Sequence, residues 1–230
     1  ELDLAKTNFI ATISHELKTP ISSIKMSLQL LENKQIGKLN QEQKQLLQHI
    51  REDSERLLKI IKELLNMSQI ETGNIQLKLQ HTSPASIVKY AYDTVIFQAN
   101  QKKIKIETIF QEPLPMIQAD VEKTAWVLIN FLSNAIKHSP EDSNIHVNIS
   151  KSEDNSVVFA VMDTGKGIEE KYLERIFEKY FKIPASLDYD GTGLGLAISK
   201  EFIEAQQGKV WAKSTLGEGS QFFFCLPIVA

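Results

Sequence analysis

The chain has 230 residues, 42% hydrophobic and 24% charged, enough for one large domain or two unequal ones and too apolar for wholesale disorder, collagen-like repeats or a low-complexity tether. Its 26 Lys and Arg against 29 Asp and Glu give a net charge of −3, so no nucleic-acid or anionic-lipid footprint is expected. One cysteine, Cys225, suggests a reducing compartment, no apolar run nears the roughly 20 residues that cross a bilayer, and the chain opens on Glu1 with helical patterning at once, so a cytoplasmic fragment of a longer protein is expected.

Residues 1–72 hold one aromatic (Phe9), one proline (Pro20) and one glycine (Gly37), which predicts two helices broken near Gly37. In the first, Ile10, Ile13, Leu17, Ile21, Ile24, Leu28 and Leu31 recur at gaps of three or four. Leu47, Ile50, Leu57, Ile61, Leu64 and Ser68 repeat the rhythm in the second, with polar Ser54 filling one step. A hairpin of two such helices buries too little alone. Pairing with a second copy as a four-helix bundle, a homodimer through residues 1–72, is the expected remedy.

Composition changes near Gly73, the expected boundary between domains 1–72 and 73–230. Ile75, Leu77 and Leu79 alternate as a strand, and Ser83-Pro84 opens a helix to about residue 102. Strands follow at 104–110 and 116–119, a long helix at 120–138 and a hairpin of strands at 145–150 and 157–162. After a glycine-bearing loop, a helix at 194–206 and strands at 210–214 and 221–226 close the sheet. Interleaved helices and strands with antiparallel connections predict an α+β chain, a helical hairpin followed by an α/β sandwich.

Several side chains do not fit plain packing. At 100° per residue, His15 points about 160° from the first helix's stripe, with Glu16 beside it and the Thr19 hydroxyl one turn on. His-Glu-x-x-His zinc chemistry fails, because Thr19 stands where the second imidazole belongs. Pro20 costs the helix a backbone donor in mid-course. In the helix 120–138, Asn130, Asn134, Lys137 and His138 share a face away from the apolar stripe. Asparagine is a poor interior helix residue, so two at this spacing are either a solvated face or ligands of a hard cation, with Lys137 turned to phosphate. Asp163 ends a strand and starts Asp163-Thr164-Gly165-Lys166-Gly167-Ile168, an ordinary turn or a loop that accepts an exocyclic amine. Gly191-Thr192-Gly193-Leu194-Gly195-Leu196 opens a helix, where backbone N–H groups suit phosphate. It fits neither a Walker loop nor the Rossmann spacing, and no His-Arg-Asp of Ser/Thr/Tyr kinases occurs.

The run Ser14-His15-Glu16-Leu17-Lys18-Thr19-Pro20 resembles the phosphoacceptor box of the sensor histidine kinases of two-component signalling. The Asn130–His138 face, the Asp163 loop, the run from Ile176 to Lys182 and the Gly191 loop resemble, in order, the Asn, Asp-x-Gly-x-Gly, Phe and Gly-x-Gly-x-Gly boxes of that family's ATP-binding domain. The resemblance covers essentially the whole chain and implies a Bergerat (GHKL) ATPase sandwich behind the hairpin. It implies ATP and Mg²⁺, with His15 as nucleophile, Glu16 accepting its proton and Thr19 acting on the partner's phosphate. Asn134 would hold Mg²⁺, while Asn130, Lys137 and His138 contact phosphates or metal. Asp163 would read adenine, with Gly165, Gly167 and Ile168 shaping that pocket. Phe181, Lys182, Gly191, Thr192, Gly193, Leu194 and Gly195 would form the phosphate-side lid. The implied partners are a response-regulator receiver domain and an upstream sensor, which a membrane could anchor. Two positions depart from the common pattern: His138 replaces Tyr, and Gln206-Gln207-Gly208 replaces a paired glycine.

Overall fold

The computed structural model describes residues 2–33, 37–111, 113–184 and 191–228, with side chains described at position 10 and from 12 onward. Part of the break expected near Gly37, residues 34–36, and residues 185–190, between the two stretches expected to form the lid, lie outside the described residues. The chain forms two compact units, Glu1–Asn74 and Ile75–Ala230.

The first unit is a pair of helices, α1 (Leu2–Leu31) and α2 (Gln41–Glu71). Asn40 starts α2 with a reciprocal cap: its side chain accepts from the Gln43 N–H, and the Gln43 side chain accepts from the Asn40 N–H. Ion pairs join Lys25 to Glu55 at 3.8 Å and Glu32 to Arg51, so position numbers fall along α2 as they rise along α1, the mark of antiparallel helices. Ile21, Leu28, Leu47 and Ile61 are buried, as are Ser54 and Ser68 on the same stripe. Ser54 tolerates burial because its hydroxyl donates to the Ile50 carbonyl at 2.7 Å. Of the other stripe residues Ile10 is half-buried, while Ile13, Leu17, Ile24, Leu31, Ile50, Leu57 and Leu64 stay 42–50% exposed.

The second unit is a two-layer sandwich. Its strands are β1 (Leu79–Thr82), β2 (Lys105–Phe110), β3 (Ile117–Asp120), β4 (Asn144–Lys151), β5 (Ser156–Met162), β6 (Lys209–Thr215) and β7 (Gly219–Pro227). Its helices are α3 (Pro84–Gln101), α4 (Val121–His138) and α5 (Gly195–Glu204). The main sheet runs β2-β4-β5-β7-β6, and β1 pairs with β3 as a separate ladder. Against the antiparallel expectation, β2 and β4 are parallel. The chain between them makes a crossover that contains α4, and such a connection returns a strand in the same direction. The strand expected at 75–79 starts only at Leu79, because its partner β3 ends at Asp120. The Lys78 N–H, next in line, goes to the Asp120 carboxylate at 2.9 Å.

The core lies between one face of the sheet and the apolar stripe of α4. Phe131 on α4 meets Phe222 and Phe224 at centroid distances of 5.4 and 6.0 Å, and Phe159 stacks on Phe224 at 4.5 Å. Gln206, 3% exposed, joins α5 to the start of α4. Its Oε1 accepts from the Asp120 N–H at 2.7 Å and the Thr124 hydroxyl at 3.2 Å, while its Nε2 donates to the Phe202 carbonyl at 2.9 Å. Gly208 leaves no room for a Cβ against the Cys225 carbonyl. The Gln206-Gln207-Gly208 departure is thus an internal brace, with a glycine kept where backbone passes backbone. Among the described residues no helix is long and apolar enough to cross a membrane.

Candidate phosphoacceptor and nucleotide sites

His15 stands on α1 with its side chain 81% exposed and its Nδ1 3.8 Å from Glu16 Oε1. That distance is too long for a hydrogen bond, yet it sets a carboxylate beside one ring nitrogen and leaves Nε2 for a reacting partner. Thr19, also exposed, donates its hydroxyl to the His15 carbonyl at 3.3 Å. This is the backbone-directed role open to a threonine ahead of a helical proline.

In the second unit, α4 presents Asn130 (8% exposed), half-buried Asn134 and Lys137, and exposed His138. Both glycine loops come to this helix. A Cβ at Gly195 would lie 2.7 Å from Asn130 Oδ1, and one at Gly165 would lie 2.6 Å from the His138 carbonyl. The two contacts are eight residues apart on α4, about 12 Å along its axis. The Asn130 carboxamide is engaged within the protein, its Nδ2 donating to Ser199 Oγ at 3.0 Å.

Asp163, 8% exposed, accepts at Oδ1 from the Gly165 N–H at 2.8 Å and the Ser220 N–H at 3.3 Å. Burial raises its pKa, and the two N–H donors offset that only partly. The loop after it is braced by the β6–β7 hairpin. Ser214 Oγ accepts from the Ile168 N–H at 2.8 Å, and the Lys166 carbonyl accepts from the Gly217 N–H at 2.8 Å. Gly167 (φ +71°) lies against the Thr215 carbonyl, and Gly219 (φ +106°) against the Asp163 carbonyl, with no room for a Cβ at either. Ile168 lines a groove together with Leu173, Ala212 and Leu216, and no α4 residue lines it.

On the other side, Thr192 Oγ1 accepts from the Leu194 N–H at 3.1 Å just before α5. Gly193 (φ +75°) carries its carbonyl to the Tyr180 N–H at 3.0 Å, which ties the Gly191 loop to the aromatic run. Within that run Phe177 is half-buried and Tyr180 is 60% exposed. Phe181 packs on Tyr172 and beneath the Arg175 guanidinium, 4.4 Å from its ring centroid, while Lys182 is exposed.

Several supporting residues escaped the sequence reading. Lys102, at the end of α3, donates its ammonium to the Ile136 carbonyl at 2.9 Å and the Lys137 carbonyl at 3.0 Å, a cation on the negative end of α4. Ser199, Ser214 and Ser220 act across long sequence gaps and carry no periodic signal. Only the cluster of Gly217 and Gly219 could have marked the β6–β7 turn.

The donor set suits Mg²⁺ with a nucleotide. Among the described residues no group of three His, Cys, Asp or Glu could hold a metal alone. Asn134 offers a half-buried carboxamide oxygen, and Mg²⁺ commonly takes one or two protein ligands and fills the rest with phosphate oxygens and water.

If the Asp163 carboxylate is held ionised at a cost, Asp163→Asn should melt higher than the unmodified chain at pH 7. The native state binds the proton more tightly than the unfolded state, so stability falls as pH rises above about 4, and the variant's advantage should fade as pH drops back. Its affinity for an adenine nucleotide should fall roughly tenfold to a hundredfold, the worth of one hydrogen bond to a charged group. Thermal melts and nucleotide titrations read both; a lower melting point at pH 7 would contradict the first.

The fold and its two sites define a nucleotide-binding ATPase sandwich in one chain with a histidine-bearing helical hairpin. Residues 119–230 match the histidine kinase-, DNA gyrase B-, and HSP90-like ATPase family, and residues 5–73 match the His Kinase A (phospho-acceptor) domain. The chain belongs to the sensor histidine kinases. It is 34% identical to the adaptive-response sensory kinase SasA of Gloeothece citriformis over 97% of its own length and 58% of that protein's. It is 32% identical to the circadian input-output histidine kinase CikA of Synechococcus elongatus, covering 97% of this chain and 30% of the relative. The structure is similar to full-length ShkA in complex with AMPPNP, with a TM-score of 0.78 and 31% identity over 97% of this chain and 46% of that one. The chain spans little more than half of the SasA relative and under a third of CikA.

Proposed function

We propose that the chain transfers the γ-phosphoryl group of MgATP to Nε2 of His15 and relays it to an aspartate of a response-regulator receiver domain. Residues 1–72 carry the phosphoacceptor and 73–230 bind the nucleotide. The observation that carries this reading is that α4 touches both glycine loops, Gly165 at His138 and Gly195 at Asn130, in a chain that also exposes His15 beside Glu16.

Phosphoryl transfer asks mainly for positioning and charge neutralisation. Asp163 accepts the adenine amine, and the glycines at 165 and 167 let the backbone approach the ring. Lys137 brings positive charge to the phosphates, with His138 and Asn130 beside it. The Gly193 and Gly195 amides at the start of α5 cap the phosphate end, with Thr192 shaping their turn by holding the Leu194 N–H. Mg²⁺, held by Asn134, would neutralise charge on the phosphate oxygens. At His15, the imidazole forms a bond from one nitrogen to phosphorus as ADP leaves, and Glu16 takes the proton from the other nitrogen. Feeding the chain ATP labelled at the γ-phosphate tests the reading: label retained on protein supports it, and label released only as free phosphate indicates an ATPase without a phosphoacceptor.

A homodimer belongs to the same proposal. The seven exposed stripe residues of α1 and α2 form an apolar face too extensive for a lone hairpin in water. At tens of micromolar, the full chain should scatter light as twice its 26.1 kDa. Leu57→Glu, which puts a charge on that face, should shift it toward monomer. A monomeric unmodified chain would count against the bundle.

A further inference from the structure

Ser199 lies on α5 outside every motif described above, and none of its surface is exposed. Its hydroxyl joins two segments of the proposed nucleotide site. Oγ donates to the Gly195 carbonyl at 2.8 Å and stands 3.0 Å from Nδ2 of Asn130. A hydroxyl has one proton, and a carbonyl can only accept, so that proton is committed to Gly195. Toward Asn130 the oxygen can therefore only accept. The carboxamide must present its NH2 group to Ser199, since turning it round would set oxygen against oxygen. The Oδ1 atom is then the part of Asn130 nearest the position a Gly195 Cβ would take, at 2.7 Å, beside the start of α5.

We propose that Ser199 is a positioning residue for the nucleotide site. It fixes which end of the Asn130 carboxamide faces the first turn of α5, so that Asn130 offers an acceptor there. The inference rests on the nucleotide reading above and deepens it. Without the Ser199 oxygen, either end of the amide could face that turn, and part of the population would present a donor where the unmodified chain presents an acceptor.

A double-mutant cycle on the full chain tests this, with MgATP affinity measured by calorimetry and folding followed by circular dichroism and thermal melts. Ser199→Ala should weaken MgATP binding about tenfold and Asn130→Ala by more. The double variant should bind no worse than Asn130→Ala alone, because Ser199 acts only through Asn130. Ser199→Cys, which keeps a weaker acceptor, should fall between the unmodified chain and Ser199→Ala. Full additivity would overturn the proposal, as would unchanged binding in Ser199→Ala or loss of its fold. An unmodified chain that binds no MgATP would overturn the nucleotide reading itself and this inference with it. Binding by the unmodified chain with additive variants would remove only the role given to Ser199.

Discussion

Replacing His15 with Gln is expected to abolish protein-bound label from ATP while leaving nucleotide affinity within about twofold. The side chain is 81% exposed on a helix of the first unit, and the groups assigned to the nucleotide all belong to the second. Glutamine keeps size and polarity but has no ring nitrogen able to form the phosphorus bond, so the loss should exceed the roughly 10²- to 10⁴-fold that general acid–base groups contribute. The label on the unmodified chain should be lost in acid and survive base, as a phosphoramidate does and an acyl phosphate does not. Label retained by the Gln variant would assign the acceptor elsewhere.

Asn134→Asp is expected to remove autophosphorylation with the fold intact. Half-buried on α4, Asn134 lies one turn beyond Asn130, and its carboxamide is isosteric with a carboxylate. The substitution therefore changes charge with little change in packing. A negative group beside polyphosphate repels it, at about 1 kcal/mol for charges 4 Å apart in water and several-fold more near a protein surface. It also changes the ligand offered to Mg²⁺. Labelling should drop at least a hundredfold while the melting temperature stays within a few degrees. A variant that labels at the original rate would show that Asn134 is not the metal ligand.

Much of this architecture is legible in local pattern. The gaps of three and four in residues 10–31 and 47–68 give the hairpin, the interleaved helix and strand patterns give the sandwich, and the order of asparagine, aspartate, aromatic and glycine motifs carries the resemblance to the kinase family. Glycines 167 and 193 earn their place through positive φ, which sequence can anticipate from their setting in loops. Less legible were features made by distant partners. The strand expected at 75–79 begins late because its extent is set by β3, not by its own alternation. Parallel pairing of β2 with β4 depends on how the chain crosses over, which no periodicity records. At the site, Asp163 is recognisable, but the hairpin beneath it is not, since Ser220 is 57 residues away. Lys102 looks like any surface lysine until its ammonium is found on the α4 carbonyls 34 and 35 residues along the chain.

Three of these distant contacts fall on one helix. α4 is held at its start by Gln206, through Asp120 and Thr124, at its middle by Ser199 through Asn130, and at its end by Lys102 through the Ile136 and Lys137 carbonyls. A helix advances 1.5 Å and turns 100° with each residue, so three fixed supports determine its length to the residue. One residue inserted between Thr124 and Asn130 would turn the rest of the helix by about 100° and advance it about 1.5 Å relative to Asp120 and Thr124, carrying Asn130 away from Ser199 and the Ile136 and Lys137 carbonyls away from Lys102. Surface loops absorb gained and lost residues readily. Over evolutionary time, insertions and deletions in proteins built on this bracing should collect in the turns around α4 and leave the stretch from 120 to 137 at constant length.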